Sequence, residues 1–257
     1  MGMKIRIHPA YRRLAAFIER LPEKFDREGE TLHDARNRIK AFEAEGERLV
    51  VKKFRRPTFP NRIVYSFLRK SKARRSYEHA LRLRERGIDS PAPVAWLEHR
   101  RRGLLDDTYY ISLRSDYTPL SDATSRFPAP DTLPVLDAFA RFTARLHTEG
   151  ILHEDFNHGN ILWKFEAETG RYRFQLIDIN RMKFRRRPLR PRECMVNLRR
   201  LSCPGAAFLY ILNGYAEHRH WDIDRTLLAG TFFRLLFGRQ RALKRKFRPR
   251  KKPAPKV

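Results

Sequence analysis

The stretch Ile151-Leu-His-Glu-Asp-Phe-Asn-His-Gly-Asn-Ile-Leu162 sets His153, Asp155 and Asn160 in the spacing H-x-D-x-x-x-x-N. A second acidic position closes the next apolar run, Phe174-Gln-Leu-Ile-Asp-Ile-Asn180. Moving a phosphoryl group onto a hydroxyl needs a base for the hydroxyl proton and oxygen ligands that hold magnesium against nucleotide phosphates. Asp155 has the chemistry for the first task, and Asn160 and Asp178 have it for the second. An Asp before a turn also caps helices or bonds the backbone, so either motif alone is ambiguous. Their order, with a hairpin between them, is what makes the pair informative. His153 reads as a support of the loop through hydrogen bonds rather than as a chemical participant.

Working outward from this stretch, the N-terminal side reads mainly as strands. Residues 10–21 form an amphipathic pattern with Leu14, Phe17, Ile18 and Leu21 on one face, ended or turned at Pro22. Strands are expected at 38–44 and 47–54 around Glu45-Gly46, with Asp34–Asn37 as an earlier hairpin tip. A helix over 72–86 stops at Gly87. Two more strands, Val94–Glu98 and Thr108–Leu113, flank a basic turn at Arg100–Gly103. Residues 115–134 are rich in Ser, Asp, Thr and Pro and read as a loop between lobes. A helix from Leu133 to His147 then buries Leu136, Phe139, Ala140, Thr143 and Leu146. Strands over 161–166 and 172–179 surround Thr169-Gly170, and the remainder is mostly helical. The expected class is α+β and bilobal. An N-terminal antiparallel sheet with one main helix (1–114) precedes a mostly helical lobe (115–243), and a basic tail (244–257) is expected to be disordered.

The chain has 257 residues, of which 41% are hydrophobic, enough for a sizeable core. No apolar run reaches bilayer-spanning length, and the charged start does not resemble a signal peptide. Only Cys194 and Cys203 are present, which argues against a disulfide scaffold and fits a reducing cytoplasm. The net charge is +27. Residues 69–75 supply +5, residues 181–192 supply +7 and residues 239–257 supply +10, with no acid in any of the three. Such blocks attract polyanions: nucleic acid, anionic lipid headgroups or a phosphorylated substrate.

The residues His153-Glu-Asp-Phe-Asn157, Asn160-Ile-Leu162 and Leu176-Ile-Asp-Ile-Asn-Arg181, with Val50-Val-Lys52-Lys-Phe54 and Glu78 upstream, resemble the lipopolysaccharide kinase family of the protein-kinase-like fold. The likeness spans about residues 30–185. It implies an ATP- and Mg2+-dependent enzyme that phosphorylates an inner-core sugar, 3-deoxy-D-manno-octulosonic acid (Kdo) or heptose. It also implies a cytoplasmic protein, peripheral on the inner face of the inner membrane. On this resemblance Asp155 is the catalytic base, and Asn160 and Asp178 hold the metal. Lys52 binds the ATP phosphates, and Glu78 orients that lysine by ion pairing. Lys53 competes with Lys52 for the role. Strand alternation sends the two to opposite faces, and Val50 shares the face of Lys52.

Four departures from the kinase pattern stand out. The region before Lys52, Leu32-His-Asp-Ala-Arg-Asn37, has no glycine for a phosphate loop. Asn157 stands where kinases carry a lysine, and Glu154 stands where many carry an arginine that pairs with an activation-loop phosphate. No A-P-E follows Asp178, which argues against a protein substrate. The leading expectation is therefore a sugar kinase acting on an anionic glycolipid, with the basic segments touching an anionic membrane surface and no specific nucleic acid bound. The alternatives are a soluble phosphotransferase of aminoglycoside or choline type, and an inactive, polyanion-binding kinase-like protein.

Overall fold

Six strands of the computed structural model, which describes residues 2–35, 37–58, 62 and 64–247, form one antiparallel sheet. In chain order the first part comprises β1 (Gly2–Ile7), α1 (Ala15–Lys24), β2 (Glu30–Asp34), β3 (Arg38–Ala44), β4 (Glu47–Phe54), α2 (Lys72–Glu85), β5 (Pro93–Arg101) and β6 (Leu104–Leu113). The sheet order is β1-β5-β6-β4-β3-β2. The turns explain the pairings. Glu45 and Gly46 have φ of 49° and 75°, and Arg102 and Gly103 have φ of 52° and 75°. Two consecutive left-handed residues are what a tight two-residue hairpin requires, because that turn matches the twist of its strands.

The sheet's two faces are covered differently. On one face Leu49, Val51, Tyr109 and Ile111 pack with Leu14, Ile18, Leu21 and Phe25, all buried. On the other, Phe54, Trp96 and the partly buried Tyr110 pack with Ala73 and Tyr77 of α2. Pro22 lies inside α1 rather than ending it. An interior proline costs roughly 3 kcal/mol. Burying several side chains on either side of it, at about 1.5–3 kcal/mol each, outweighs that. α2 does stop where glycine allows: Gly87 has φ 65°, and Ile88 N–H reaches back to the Leu83 carbonyl at 3.0 Å. β1 was not foreseen. Its residues are exposed or half-buried, so it lacks the apolar density that marks a strand.

The second part of the chain holds β7 (Thr118–Pro119), α3 (Leu120–Arg126), α4 (Leu133–Thr148), β8 (Ile151–His153), β9 (Ile161–Glu166), β10 (Arg171–Leu176), β11 (Met182–Phe184), α5 (Pro191–Leu198), α6 (Gly205–His218) and α7 (Ile223–Lys246). The expected loop over 115–134 is therefore partly helical. Leu120, Ala123 and Thr124, at i, i+3 and i+4, give α3 a buried face that its polar composition conceals. Residues 244–246, expected in a disordered tail, continue α7. Residues 248–257 of that tail lie outside the described residues. The class is mixed α+β, with an antiparallel sheet and a helical C-terminal part.

Two compact units emerge. One comprises Met1–Leu120, His153–Asp155 and Gly159–Phe184. The other comprises Ser121–Leu152, Phe156–His158 and Arg185–Val257. In the second unit, α4 buries the five stripe residues expected of it. Its His147 is enclosed between Tyr215 Oη and Asn197 Oδ1, each at 3.0 Å from a ring nitrogen. Full burial pushes this imidazole down to about 4 from an ordinary 6.5. A ring kept neutral by the fold contributes stability above pH 6.5, and that contribution is lost as pH falls toward 4. The difference corresponds to about 3 kcal/mol. Urea unfolding from pH 7.5 to pH 4 should show the wild-type chain losing stability by about that amount relative to His147→Gln, whose profile lacks this titration.

Candidate active site

Every proposed site residue, Lys52, Glu78, Asp155, Asn160 and Asp178, falls within the first unit. β4 supplies the lysine. Lys52 sits opposite Tyr110 of β6 and Lys53 opposite Tyr109, so the two lysines follow those tyrosines to opposite faces. Lys53 goes to the α1 side, where Asp107 (3.0 Å) and Asp26 (3.6 Å) bind it. Burial works against its ammonium, yet Asp107 and Tyr109 hold it above its ordinary value. A cleft of about 380 Å³ on that side is lined by Asp34, Arg38, Lys53, Arg55, Arg56 and Asp107 among others. Its cations are largely consumed: Arg38 pairs with Asp26 and Arg56 with Asp106. Lys52 points the other way, and its Nζ lies 2.6 Å from Asp178 Oδ1.

Asp178 lies two residues past the end of β10, with φ 53°. A left-handed backbone at a non-glycine residue costs on the order of 1–2 kcal/mol, less for Asp than for most. Its Oδ1 accepts from Lys52 and also from Asn180 Nδ2 at 2.6 Å, leaving Oδ2 without a hydrogen-bond partner among the described residues. Burial alone would raise this carboxyl. The Lys52 ammonium outweighs it, with help from Asn180, and the group titrates below its ordinary 3.8.

The loop that carries Asp155 is stitched to the same place by His153. The ring is buried; Nε2 donates to the Ile177 carbonyl at 3.0 Å and Nδ1 accepts from the Asp155 backbone N–H at 3.0 Å. Those partners fix the tautomer, and burial lowers the pKa, so the ring stays neutral. Asn160 completes the stitching. Its Nδ2 donates to the Asp155 carbonyl at 2.9 Å, while its own backbone carbonyl accepts from Ile177 N–H at 3.0 Å. The base candidate, the asparagine and the residue preceding Asp178 thus share one hydrogen-bond network.

Glu78 requires a correction. It does not pair with Lys52; Lys70 Nζ (2.7 Å) and Arg74 Nε (2.8 Å) take both of its carboxylate oxygens. Burial opposes its charge, but those two cations keep it below the usual carboxylate range. The reason is local. Arg74 lies one helical turn before Glu78 on α2, and the basic run before the helix brings Lys70 alongside, whereas Lys52 is held by Asp178.

Three further residues organise the site without having been singled out for it. His79, next to Glu78, donates from Nδ1 to the Ile179 carbonyl at 2.7 Å and so ties α2 to the Asp178 segment. Asn180 steadies Asp178. Glu154, in place of the kinase arginine, binds Lys183 at 2.6 Å and Arg181 at 3.5 Å. Arg181 also stands 3.5 Å from Asp155 Oδ2. The spacing Asp178-x-Asn180 on a left-handed bend was a readable signal for one of these contacts, since an amide two residues on can reach back to a carboxylate. His79 and Glu154 offered no comparable pattern.

The lipopolysaccharide kinase (Kdo/WaaP) family model matches residues 23–204. The chain belongs to that family. No curated protein matches it at a significant level. A solved structure described as WaaP in complex with acyl carrier protein aligns with a TM-score of 0.60, covering 95% of this chain and 100% of that one. At 17% identity this likeness carries the fold, a kinase-like one, and no more.

Kinase-family membership implies a divalent metal. Among the described residues no cluster of three or more His, Cys, Asp or Glu forms a metal cage. One carboxylate and one amide carbonyl instead offer hard oxygen ligands, as suits magnesium, which keeps phosphate and water in most positions. Asp178 Oδ2 has no hydrogen-bond partner among the described residues, and Asn160 uses its Nδ2, not its Oδ1, on the Asp155 carbonyl. The residues fit the ion.

The Lys52–Asp178 pair has a measurable signature. Lys52→Met should raise the Asp178 carboxyl, because burial then loses its main opponent and Asn180 is left as a weaker one. Carboxyl-resolved NMR titration checks this. The same change should destabilise the protein by about 1.5–3 kcal/mol at neutral pH. A depressed carboxylate stabilises above its unfolded pKa, so the difference between wild type and variant should shrink as pH falls below 3.8.

Proposed function

We propose that this chain is an ATP-dependent kinase that transfers phosphate to a sugar hydroxyl of the lipopolysaccharide inner core, Kdo or heptose. The observation that carries this reading is the 2.6 Å contact between Lys52 and Asp178, on a segment joined to the Asp155 loop through His153. Family membership supplies the class of reaction. In this reading Asp178 and Asn160 would hold magnesium, whose chemistry is to neutralise charge on the transferring phosphate. Lys52 would meet nucleotide phosphates, and Asp155 would accept the proton of the attacking hydroxyl.

The surroundings of Asp155 favour an anionic acceptor. Arg181 reaches both Asp155 and Glu154 at 3.5 Å, long for a charged hydrogen bond, and its side chain is half exposed. An incoming carboxylate or phosphate can engage this guanidinium without breaking a tight pair. Glu154 anchors Lys183, so a permanent carboxylate orders the segment after Asp178 where many kinases use an added phosphate. Glu78 enters as an anchor for Lys70 and Arg74 rather than as a partner of Lys52.

The test is phosphotransfer from labelled ATP to purified lipid A–core, with the product read by mass spectrometry. One added phosphate on the sugar is the expected result. Asp155→Ala should lower kcat by about 10²–10⁴-fold, the range for loss of a general base. Lys52→Met should be comparably impaired, and Lys53→Met should stay within a few-fold of wild type. Phosphorylation of a soluble aminoglycoside in preference to lipid A–core would overturn the assignment, as would normal transfer by Asp155→Ala.

A further inference from the structure

The longest helix, α7, packs on one side only, and its opposite side is apolar. Thr226 and Gly230 are buried, and the guanidinium groups of Arg199 and Arg200 lie 4.9 and 5.5 Å from the ring of Phe237. At Gly230 an added Cβ would lie 2.2 Å from Leu212, so the backbones of α6 and α7 meet closely there. Arg234 completes this face, its guanidinium 4.4 Å above Phe208 and bonded to the Cys203 carbonyl. Half a turn around the helix lie Leu228, Phe232 and Leu235, at spacings of four and three residues that share a face. They are 72%, 62% and 69% exposed. Leu243, on the same side, is also exposed.

A row of large apolar side chains left in water is unfavourable unless something covers it. The charges around the row say what that is. α7 carries Arg225, Arg234, Arg239, Arg241, Lys244, Arg245 and Lys246 against a single acid, Asp224. From Gly238 to Phe247 every residue is exposed, so the last turns of the helix stand clear of any packing partner among the described residues. Cationic heads among apolar side chains match an anionic lipid surface, where leucine and phenylalanine enter the headgroup–acyl boundary and long basic side chains reach back to phosphates. No described helix is long and apolar enough to cross a membrane, so α7 would lie in the interface rather than span it.

We infer that the outer face of α7, centred on Leu228, Phe232 and Leu235, seats this protein on an anionic bilayer by shallow insertion. This rests on the reading of the acceptor as a membrane lipid, and it adds a hydrophobic contact to the electrostatic one. Basic residues alone would give binding that salt abolishes. Inserted side chains give binding that salt only weakens.

The experiment uses the full chain with vesicles of phosphatidylglycerol and phosphatidylethanolamine, and phosphatidylcholine vesicles as the neutral reference. Wild type should float with the anionic vesicles and retain a measurable fraction in 0.5 M salt (about 4 Å screening length). The triple variant Leu228→Gln, Phe232→Gln, Leu235→Gln should lose at least tenfold in partitioning while its circular dichroism and Tm hold. A Phe232→Trp variant should be quenched by brominated lipid beyond the wild-type background. Transfer to a deacylated, soluble acceptor should be the same for the triple variant and wild type, and transfer to vesicle-borne acceptor should fall. If kinase activity is absent altogether, the partitioning and quenching still decide the membrane contact. Equal partitioning of triple variant and wild type overturns the inference. So does a wild-type dimer that the triple variant converts to monomer, or saturable binding of an acidic protein through this face without vesicle binding; either assigns the row to a protein partner.

Discussion

A lysine ammonium and an aspartate carboxylate at 2.6 Å, both partly withdrawn from water, set the terms for the rest of the first unit. Each group would be costly to hold there alone, and each makes the other tolerable. The pair also spans 126 positions of sequence, joining the middle of the sheet to the bend after β10. Around it the fold spends backbone hydrogen bonds on rigidity: His153 to Ile177, Asn160 to Asp155 and His79 to Ile179. None of these three side chains needs a charge to do so. Neutral donors and acceptors fix the geometry, and the few charged groups remain for chemistry.

What could be read from the chain follows from how local each cause is. The β3–β4 hairpin, the stop of α2 at Gly87 and the buried stripe of α4 depend on residues within a few positions of each other, and all lie where expected. The Lys52 and Lys53 directions follow from alternation once β4 is recognised. α3 and β1 were missed because their signals are weak. α3 hides three inward residues among Ser, Asp and Thr, and β1 buries little and gains its order from pairing with β5. α1 runs through Pro22 because tertiary burial on both sides exceeds a local penalty, which no local reading weighs.

The site shows the same division. The juxtaposition of Asp155, Asn160 and the Asp178 segment was legible because their spacing is fixed by one loop and one hairpin. The Lys52–Glu78 pair was not a local inference, and it failed for an electrostatic reason. In a chain with 56 basic residues against 29 acidic ones, each carboxylate has several cations competing for it. Glu78 is captured by Lys70 and Arg74, and Glu154 by Lys183 and Arg181. Which cation wins depends on tether length and helix register, and a motif contains neither.

That competition gives the surplus charge a physical reading. Acids in this chain are mostly spent: Asp26, Glu78, Asp106, Glu154 and Glu193 each sit within ion-pair distance of more than one cation. Lys53 is neutralised in this way by Asp26 and Asp107, and Lys52 by Asp178. On the proposed reading Asp178 would also hold the metal and Lys52 would face the nucleotide phosphates, so the ammonium would exchange one anionic partner for another rather than lose its only one. On α7 the balance is different. With one acid among its residues, none of its cations forms an ion pair among the described residues, and the lysines and arginines of its last turns carry their charge outward.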